Sequence, residues 1–335
     1  MRAMRIGSPA GLETIRVGTA EAPAPKPGEI RVAIRANALN FRDVLVARGI
    51  LPAVPGCILL SDACGEVTDV GAGVREFAVG DTVVSTFHPA WLDGHTERHE
   101  LAAAPGGGAD GYACEAVTRA ATSFTRAPRA LSPVQCATLT CAGVTAWRAL
   151  VTDGRVKPGA RVLIEGTGGV SLFALQFAKA AGATVIATST SADKLARLRE
   201  LGADLVIDRS AMPQWGAQVL ELTDGVGVDH VIEVGGPHTI GQGFVAARTG
   251  AHIAIVGALG GFDIDTMPFA VVQAKRLRLQ GVTVGSRRDQ IEMIRGIEAS
   301  GIIPVVDRVF PLEQLGEALR YQQDGGGFGK VCVEV

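Results

Sequence analysis

The chain has no excess of basic charge. Lys+Arg 32 stand against Asp+Glu 34, a formal net charge of −2. A polyanion is held by clustered Lys and Arg that displace its counterions, so the composition argues against a nucleic-acid partner. No apolar run reaches the roughly 18 residues of a membrane-spanning helix; the stretch 228–234 is interrupted by Asp229, His230 and Glu233. Residues 1–7 carry no apolar core and no small-residue cleavage pattern, so no signal peptide is expected. The six cysteines, at 57, 64, 114, 136, 141 and 332, form no Cys-x-x-Cys pair. They are expected as reduced thiols in a cytoplasmic protein. Tyrosine, a common proton donor, occurs only as Tyr112 and Tyr321, and both are expected to be structural. There is no nucleophile elbow with Ser, His and Asp in triad order, so hydrolase chemistry has no support.

What is present suggests two domains. A length of 335 residues, 47% of them hydrophobic, is enough to bury two cores. Residues 1–130 read as short apolar runs (29–34, 65–70, 82–85) broken by turns such as Lys26-Pro27-Gly28. That pattern predicts an irregular β domain. The polar, Gly-rich span 86–112 reads as a long surface loop. At Ser132-Pro133 the rhythm changes, with Ser132 as a helix cap and Pro133 at the first helical position. Strands at 161–165, 184–188, 205–207, 229–234 and 252–256 then alternate with helices, including 168–181 and 193–201. Such alternation predicts βαβ units and a parallel sheet. The tail from 272 holds a strand (278–284), helices (289–300 and 312–322) and a last strand (330–335). The expected organisation is an α/β chain: a β-rich domain over 1–130, completed by 272–335, and a doubly wound parallel-sheet domain over 131–271.

The most informative stretch is Arg161-Val162-Leu163-Ile164-Glu165-Gly166-Thr167-Gly168-Gly169-Val170-Ser171. A buried strand runs into glycines and then at once into a helix, whose N–H groups and dipole favour an anion. Gly166 permits the tight turn, and Gly168 lets the backbone approach a pyrophosphate; Gly169 and Val170 open the helix. The third glycine of the dinucleotide fingerprint falls on Ser171, so the match is incomplete. At the end of the second strand an NAD site wants a carboxylate for the ribose hydroxyls, and this chain has Ser189 there. Ser189, Ser191 and Lys194, with Arg209 beyond the third strand, would instead suit a 2′-phosphate. The expected cofactor is NADP(H).

Several motifs resemble the medium-chain dehydrogenase/reductase superfamily over nearly the whole chain. They are Asn40-Phe41-Arg42-Asp43, the stretch from Val54-Pro55-Gly56 to Ser61-Asp62-Ala63-Cys64-Gly65-Glu66-Val67, Val79-Gly80-Asp81-Thr82-Val83, Cys141-Ala142-Gly143-Val144-Thr145-Ala146-Trp147, Lys157-Pro158-Gly159, Gly168-Gly169-Val170 and Leu201-Gly202-Ala203-Asp204. The resemblance implies a GroES-like catalytic domain and a Rossmann domain, and it is strongest to zinc-free quinone oxidoreductases and enoyl reductases, including those of polyketide synthases. It also implies cofactor contacts from Thr145, Gly235, Val256, Gly257, Gly285, Phe328 and Lys330. Zinc members of the superfamily use Cys, His and a second Cys or an acid; motif matching puts Asn40, Ser61 and Cys141 at those positions. A catalytic zinc needs about three N, S or carboxylate donors, so no metal is expected. His88, His95 and His99, with Glu97 and Glu100, are expected to be solvated loop residues, although His95 and His99 have helical spacing.

The expected catalytic groups are Asn40, Arg42, Asp43 and Asp62, with Cys141 near the same wall; the alternative is that Asn40 and Asp43 only fix a loop and that Arg42 and Asp62 simply pair across the cleft. Asn40 would donate to the nicotinamide amide or a substrate carbonyl. Without a Lewis acid, hydride transfer suits a quinone or an activated alkene, because the resulting anion is delocalised. The expected function is thus NADPH-dependent reduction of a small quinone or enone. The alternatives are an alcohol or aldehyde dehydrogenase with Cys141 and a histidine around a metal, and a non-catalytic nucleotide sensor. The strands at 252–256 and 277–284 suggest a homodimer formed by sheet extension.

Overall fold

The computed structural model describes residues 1–335 except 98–100, 102, 258 and 262–266. The chain forms two compact units, Met1–Val144 with Val284–Val335, and Thr145–Thr283. These boundaries correct the expected ones at 130/131 and 271/272. The helix Pro133–Ala137 packs on strands of the first unit, and the strand Arg278–Gly281 pairs within the sheet of the second. Linear periodicity says what an element is, but not which sheet it joins.

The first unit is built on strands β1 (Arg2–Arg5), β2 (Arg16–Thr19), β3 (Glu29–Ala38), β4 (Asp62–Val70), β5 (Thr82–Ser85), β6 (Ala116–Ala120), β7 (Phe124–Arg126), β14 (Val306–Pro311) and β15 (Lys330–Glu334). Its main sheet has the order β14-β15-β3-β4-β5-β7, with β6 also paired to β3, while β1 and β2 form a separate ribbon. Strand β3 alternates as predicted: Ile30, Val32 and Ile34 are buried while Glu29, Arg31 and Ala33 are half-buried. These side chains meet Leu59, Leu60, Val83 and Phe124 in one apolar core. The helix Pro133–Ala137 begins as read, with Ser132 accepting from the Gln135 N–H and proline in the first turn. It is followed by a π-helical stretch, Leu139–Gly143, which carries Cys141.

The second unit holds six parallel strands: β8 (Arg161–Glu165), β9 (Thr184–Ser189), β10 (Leu205–Asp208), β11 (Val228–Glu233), β12 (Ala247–Ile255) and β13 (Arg278–Gly281). Their order is β10-β9-β8-β11-β12-β13. The chain winds outward from β8 in one direction and from β11 in the other. The switch of direction therefore falls between β8 and β11, where such sheets bind ligands beyond the strand C-termini. Val162, Leu163 and Ile164 are fully buried, as a central strand covered on both faces requires. The helix Gly169–Ala180 follows β8, and Ala192–Glu200 follows β9, capped by Ser191 and stopped before Gly202 at φ 99°. No helix among the described residues is long and apolar enough to cross a membrane.

The span 86–112 is not simply a surface loop. Phe87, His88, Trp91 and Tyr112 are buried, and the His88 ring lies 4.7 Å from Phe87 and 6.1 Å from Trp91 between centroids. Aromatic packing thus removes His88 from the solvated set, while His95 and Glu97 are exposed. His99 and Glu100 lie outside the described residues.

Candidate functional site

In the first unit, β3 ends next to Leu39-Asn40, β4 begins at Asp62, and β15 begins at Lys330. Antiparallel pairing of Ala38 with both Asp62 and Cys332 brings these ends together. Asn40, Ser61, Asp62 and Lys330 are all buried there. The Lys330 Nζ donates to the Leu39 carbonyl and, at 2.6 Å, to Asn40 Oδ1; it lies 3.9 Å from Asp62 Oδ2. Asn40 Nδ2 donates to Asp62 Oδ1 at 2.9 Å and to Ser61 Oγ at 3.4 Å, and Ser61 Oγ donates to the same Asp62 oxygen at 2.7 Å. The Cys141 N–H reaches Asp62 Oδ2 at 3.2 Å. Burial pushes the Asp62 carboxyl up, whereas Lys330 and the donors from Ser61, Asn40 and Cys141 favour its charged form. With this many donors converging on it, Asp62 is read as a carboxylate neutralised by Lys330.

Three expectations change here. Asn40 does not present a free amide donor, because Asp62 and Ser61 take its N–H groups and Lys330 takes its oxygen. Arg42 does not pair with Asp62: its guanidinium donates to the Pro105 carbonyl at 3.2 Å, stacks 5.5 Å above the Phe87 ring and lies 3.9 Å from Asp43. Lys330, expected at the cofactor, is an internal cation of the first unit. Phe328 is likewise buried, with its N–H on Asp307. Gly285 precedes the Ser286 cap of the helix Arg287–Ser300; a Cβ there would come within 2.8 Å of Val144 and 3.0 Å of Asp289.

Asp43, in the first turn of the helix Phe41–Ala47, accepts the Asn40 N–H at 2.7 Å through Oδ2, while its buried Oδ1, 3.9 Å from the Arg42 guanidinium, has no hydrogen-bond partner among the described residues. Burial raises its carboxyl to about 6 against the opposing pull of Arg42. The Cys141 thiol is pushed up by burial and by the Asp62 carboxylate. The positions matched to zinc ligands do converge, but as an amide and a hydroxyl engaged with Asp62 and a thiol whose own backbone N–H also reaches Asp62. That donor set does not fit zinc. Among the described residues, no three His, Cys, Asp or Glu side chains are gathered as a metal site.

In the second unit, the expected nucleotide residues collect at the C-terminal edge of the parallel sheet. Gly166 adopts φ 72°, which L side chains rarely take, and a Cβ on Gly166 or Gly168 would meet nothing within 4 Å. The glycine turn thus opens a space in front of the helix Gly169–Ala180, with Gly169 and Val170 in its first turn. This cradle fits a nucleotide diphosphate. Ser189 ends β9, and the Arg209 N–H donates to its carbonyl at 2.9 Å, so β10 sets Arg209 beside it. The Ser189 hydroxyl accepts the Ser191 N–H at 3.3 Å, and the Ser191 hydroxyl caps the helix that carries Lys194. The Asp208 carboxylate next to this group is held by Ser210. Gly235 follows β11, and the Val256 and Gly257 N–H groups both reach back to the Glu233 carbonyl. Thr145 is buried at the start of this unit.

Sequence reasoning missed Glu165 and Glu233, whose carboxyls meet in this edge. The signal was a glutamate closing an otherwise apolar strand just before the glycine turn.

Two family models match the chain: an alcohol dehydrogenase GroES-like domain over residues 26–129, and a zinc-binding dehydrogenase domain over 169–299. A zinc-type alcohol dehydrogenase-like protein of Schizosaccharomyces pombe is 40% identical over 320 residues, covering 92% of this chain and 91% of that protein. The solved structure of an NAD-dependent alcohol dehydrogenase is 35% identical with TM-score 0.90, and each chain is wholly covered. That of a 2-octenoyl-CoA carboxylase reductase in complex with NADP and 2-octenoyl-CoA is 26% identical with TM-score 0.87, covering 99% of this chain and 87% of the other. The two units are a GroES-like domain and a Rossmann-type domain. The chain belongs to the medium-chain dehydrogenase/reductase superfamily, and it is an NAD(P)-dependent oxidoreductase.

Proposed function

We propose that the protein reduces a small quinone or activated alkene with NADPH and without catalytic zinc. One observation carries this reading: Asn40, Ser61 and Cys141, at the positions matched to zinc ligands, are tied to a buried Asp62–Lys330 pair. To ligate a metal, Asn40 and Ser61 would have to give up their bonds to Asp62 and leave its carboxylate with only the Cys141 N–H and Lys330. Without a Lewis acid, the reaction that remains accessible is one whose anion is delocalised over a conjugated acceptor. When bound, the nicotinamide supplies the hydride. Arg42, partly exposed, is the cation we assign to the developing negative charge, and Asp43 holds the adjacent helix turn through the Asn40 N–H.

The preference for the 2′-phosphorylated cofactor rests on Ser189, Ser191, Lys194 and Arg209 and on the lack of a carboxylate at the end of β9. The protein is further proposed to be a cytoplasmic homodimer that acts on a small molecule, with no nucleic-acid or membrane partner. A cofactor-oxidation screen across quinones, enones, enoyl thioesters and aldehydes tests the reaction, with metal analysis of the same preparation. Turnover of conjugated acceptors by metal-free protein is expected. Aldehyde turnover that needs stoichiometric zinc overturns the reading. In parallel, NADPH is expected to bind more tightly than NADH, and Lys194→Ala to narrow the gap; equal affinities in the unaltered protein defeat the phosphate argument.

A further inference from the structure

The floor of the nucleotide edge contains two carboxyl groups that the proposed reaction does not use. Glu165 closes β8 and Glu233 closes β11, and the register that pairs Ile164 with Ile232 places the two strand ends side by side. These are the two strands that flank the change of direction in the sheet. Both side chains are buried, with exposures of 1% and 0%. Both face Gly243: a Cβ on that glycine would lie 3.8 Å from Glu165 Oε1 and 3.8 Å from Glu233 Oε2.

Their surroundings are unequal. Glu233 Oε1 accepts the Gly235 N–H at 2.8 Å, the Gly236 N–H at 2.8 Å and the Thr239 hydroxyl at 2.6 Å. Among the described residues, neither carboxyl oxygen of Glu165 has a hydrogen-bond partner, nor has Glu233 Oε2. A carboxylate with three donors on one oxygen is held charged, and a carboxyl with none is held neutral. One proton on Glu165, directed at Glu233 Oε2, would satisfy two of the three orphaned oxygens; the nearby Thr239 hydroxyl is already donated to Glu233 Oε1.

We propose that Glu165 and Glu233 share a single proton, and that this proton latches the Gly235–Gly236 turn at the nucleotide edge. Glu165 is then a positioning residue: it completes Glu233, which in turn holds the turn through its two N–H groups and Thr239. Losing the proton would place two like charges on the floor of the cradle that receives the diphosphate. The turn would loosen and the anion would be repelled, so nucleotide affinity falls as pH rises.

The charged groups acting on Glu165 are Glu233 on β11 and Arg209 beyond β10. Burial pushes the Glu165 carboxyl well above its ordinary range, and Glu233 pushes it in the same direction; Arg209 and Thr239 oppose. Ser171 bonds only the Glu165 backbone carbonyl, at 2.7 Å. The buried Arg209 Nε has no hydrogen-bond partner among the described residues.

The nucleotide arm rests on the cofactor reading above, and Glu165→Gln separates the two. Glutamine keeps a donor for Glu233 but cannot ionise. NADPH dissociation constants are measured by titration from pH 7 to 9.5 for both proteins, with infrared spectra of the nucleotide-free proteins at pH 7. The unaltered protein is expected to lose affinity by about fivefold or more across that range, while Glu165→Gln stays flat. A protonated-carboxyl band is expected in the unaltered protein and is expected to vanish in the variant. Glu165→Leu, which leaves Glu233 Oε2 bare, is expected to bind weakly at every pH. Identical pH profiles for the unaltered protein and Glu165→Gln, or the lack of a carboxyl band assignable to residue 165, overturn the latch. If neither NADPH nor NADH binds at any pH, the cofactor reading falls with the nucleotide arm, and the infrared band alone decides the shared proton.

Discussion

Asp43 is a carboxyl that the fold holds against its own stability. Its ordinary value is 3.8, and burial raises it to about 6. Below pH 3.8 the group is protonated in both the folded and the unfolded chain. As pH rises, the unfolded chain ionises first and gains the advantage; the loss to the folded state grows until about pH 6 and is constant above. At about 1.4 kcal/mol per pH unit, that interval corresponds to about 3 kcal/mol. Replacing Asp43 by Asn removes the titration while keeping an oxygen for the Asn40 N–H. Asn also brings an NH2 to the site where Oδ1 has no partner, and that cost does not vary with pH. The informative quantity is therefore the change in unfolding free energy between pH 4 and pH 8, not the value at either pH. Denaturant unfolding of both proteins is expected to show the unaltered chain losing about 2.5 kcal/mol more than Asp43→Asn over that interval. Parallel profiles would refute the argument, since they would mean that Asp43 ionises in the fold as it does in water.

Two further outcomes test the remaining groups. Lys330→Met leaves the Asp62 carboxylate buried without its cation and is expected to cost about 3–5 kcal/mol, with Asp62→Asn added in the same chain recovering most of the loss; a penalty under about 1 kcal/mol in denaturant unfolding contradicts the assigned charges. Gly168→Ala adds a Cβ that meets nothing in the protein, so the nucleotide-free fold should stay within about 1 kcal/mol of the original. NADPH affinity should drop by about tenfold or more, and unchanged affinity by calorimetry would remove the diphosphate from this turn.

The nucleotide-binding unit was legible because its signals are local. In β8, Val162-Leu163-Ile164 is buried on both faces, and Gly166, at φ 72°, turns the chain into the helix that Gly169 opens. The Ser132 cap is equally local, since one hydroxyl and one proline specify it. What escaped depends on pairing between distant segments. Strand β14 was missed because Asp307, Arg308 and Val309 lie at or near the surface of an edge strand, which breaks the apolar alternation. Lys330 was expected at the cofactor. Only the β15–β3 register turns it onto Leu39 and Asn40. Glu165 and Glu233 are 68 residues apart in sequence, and their meeting follows from the β8–β11 neighbourhood alone.

Stability alone does not account for these buried charges. A buried ion pair such as Asp62–Lys330 can often be replaced by apolar side chains of similar volume without loss, because desolvation offsets the Coulomb attraction. Asp43 costs folding energy at neutral pH, and Glu165 must be held neutral by its environment. In the first unit these groups surround the positions matched to metal ligands; in the second they lie at the change of direction in the sheet. Under the proposed function, both are places where a reactant or cofactor is met by fixed charge and not by mobile water. The residues of such a site do their work before any ligand arrives. Their field is set by the folding of the chain, and the stability they forgo keeps that field from rearranging when charge moves.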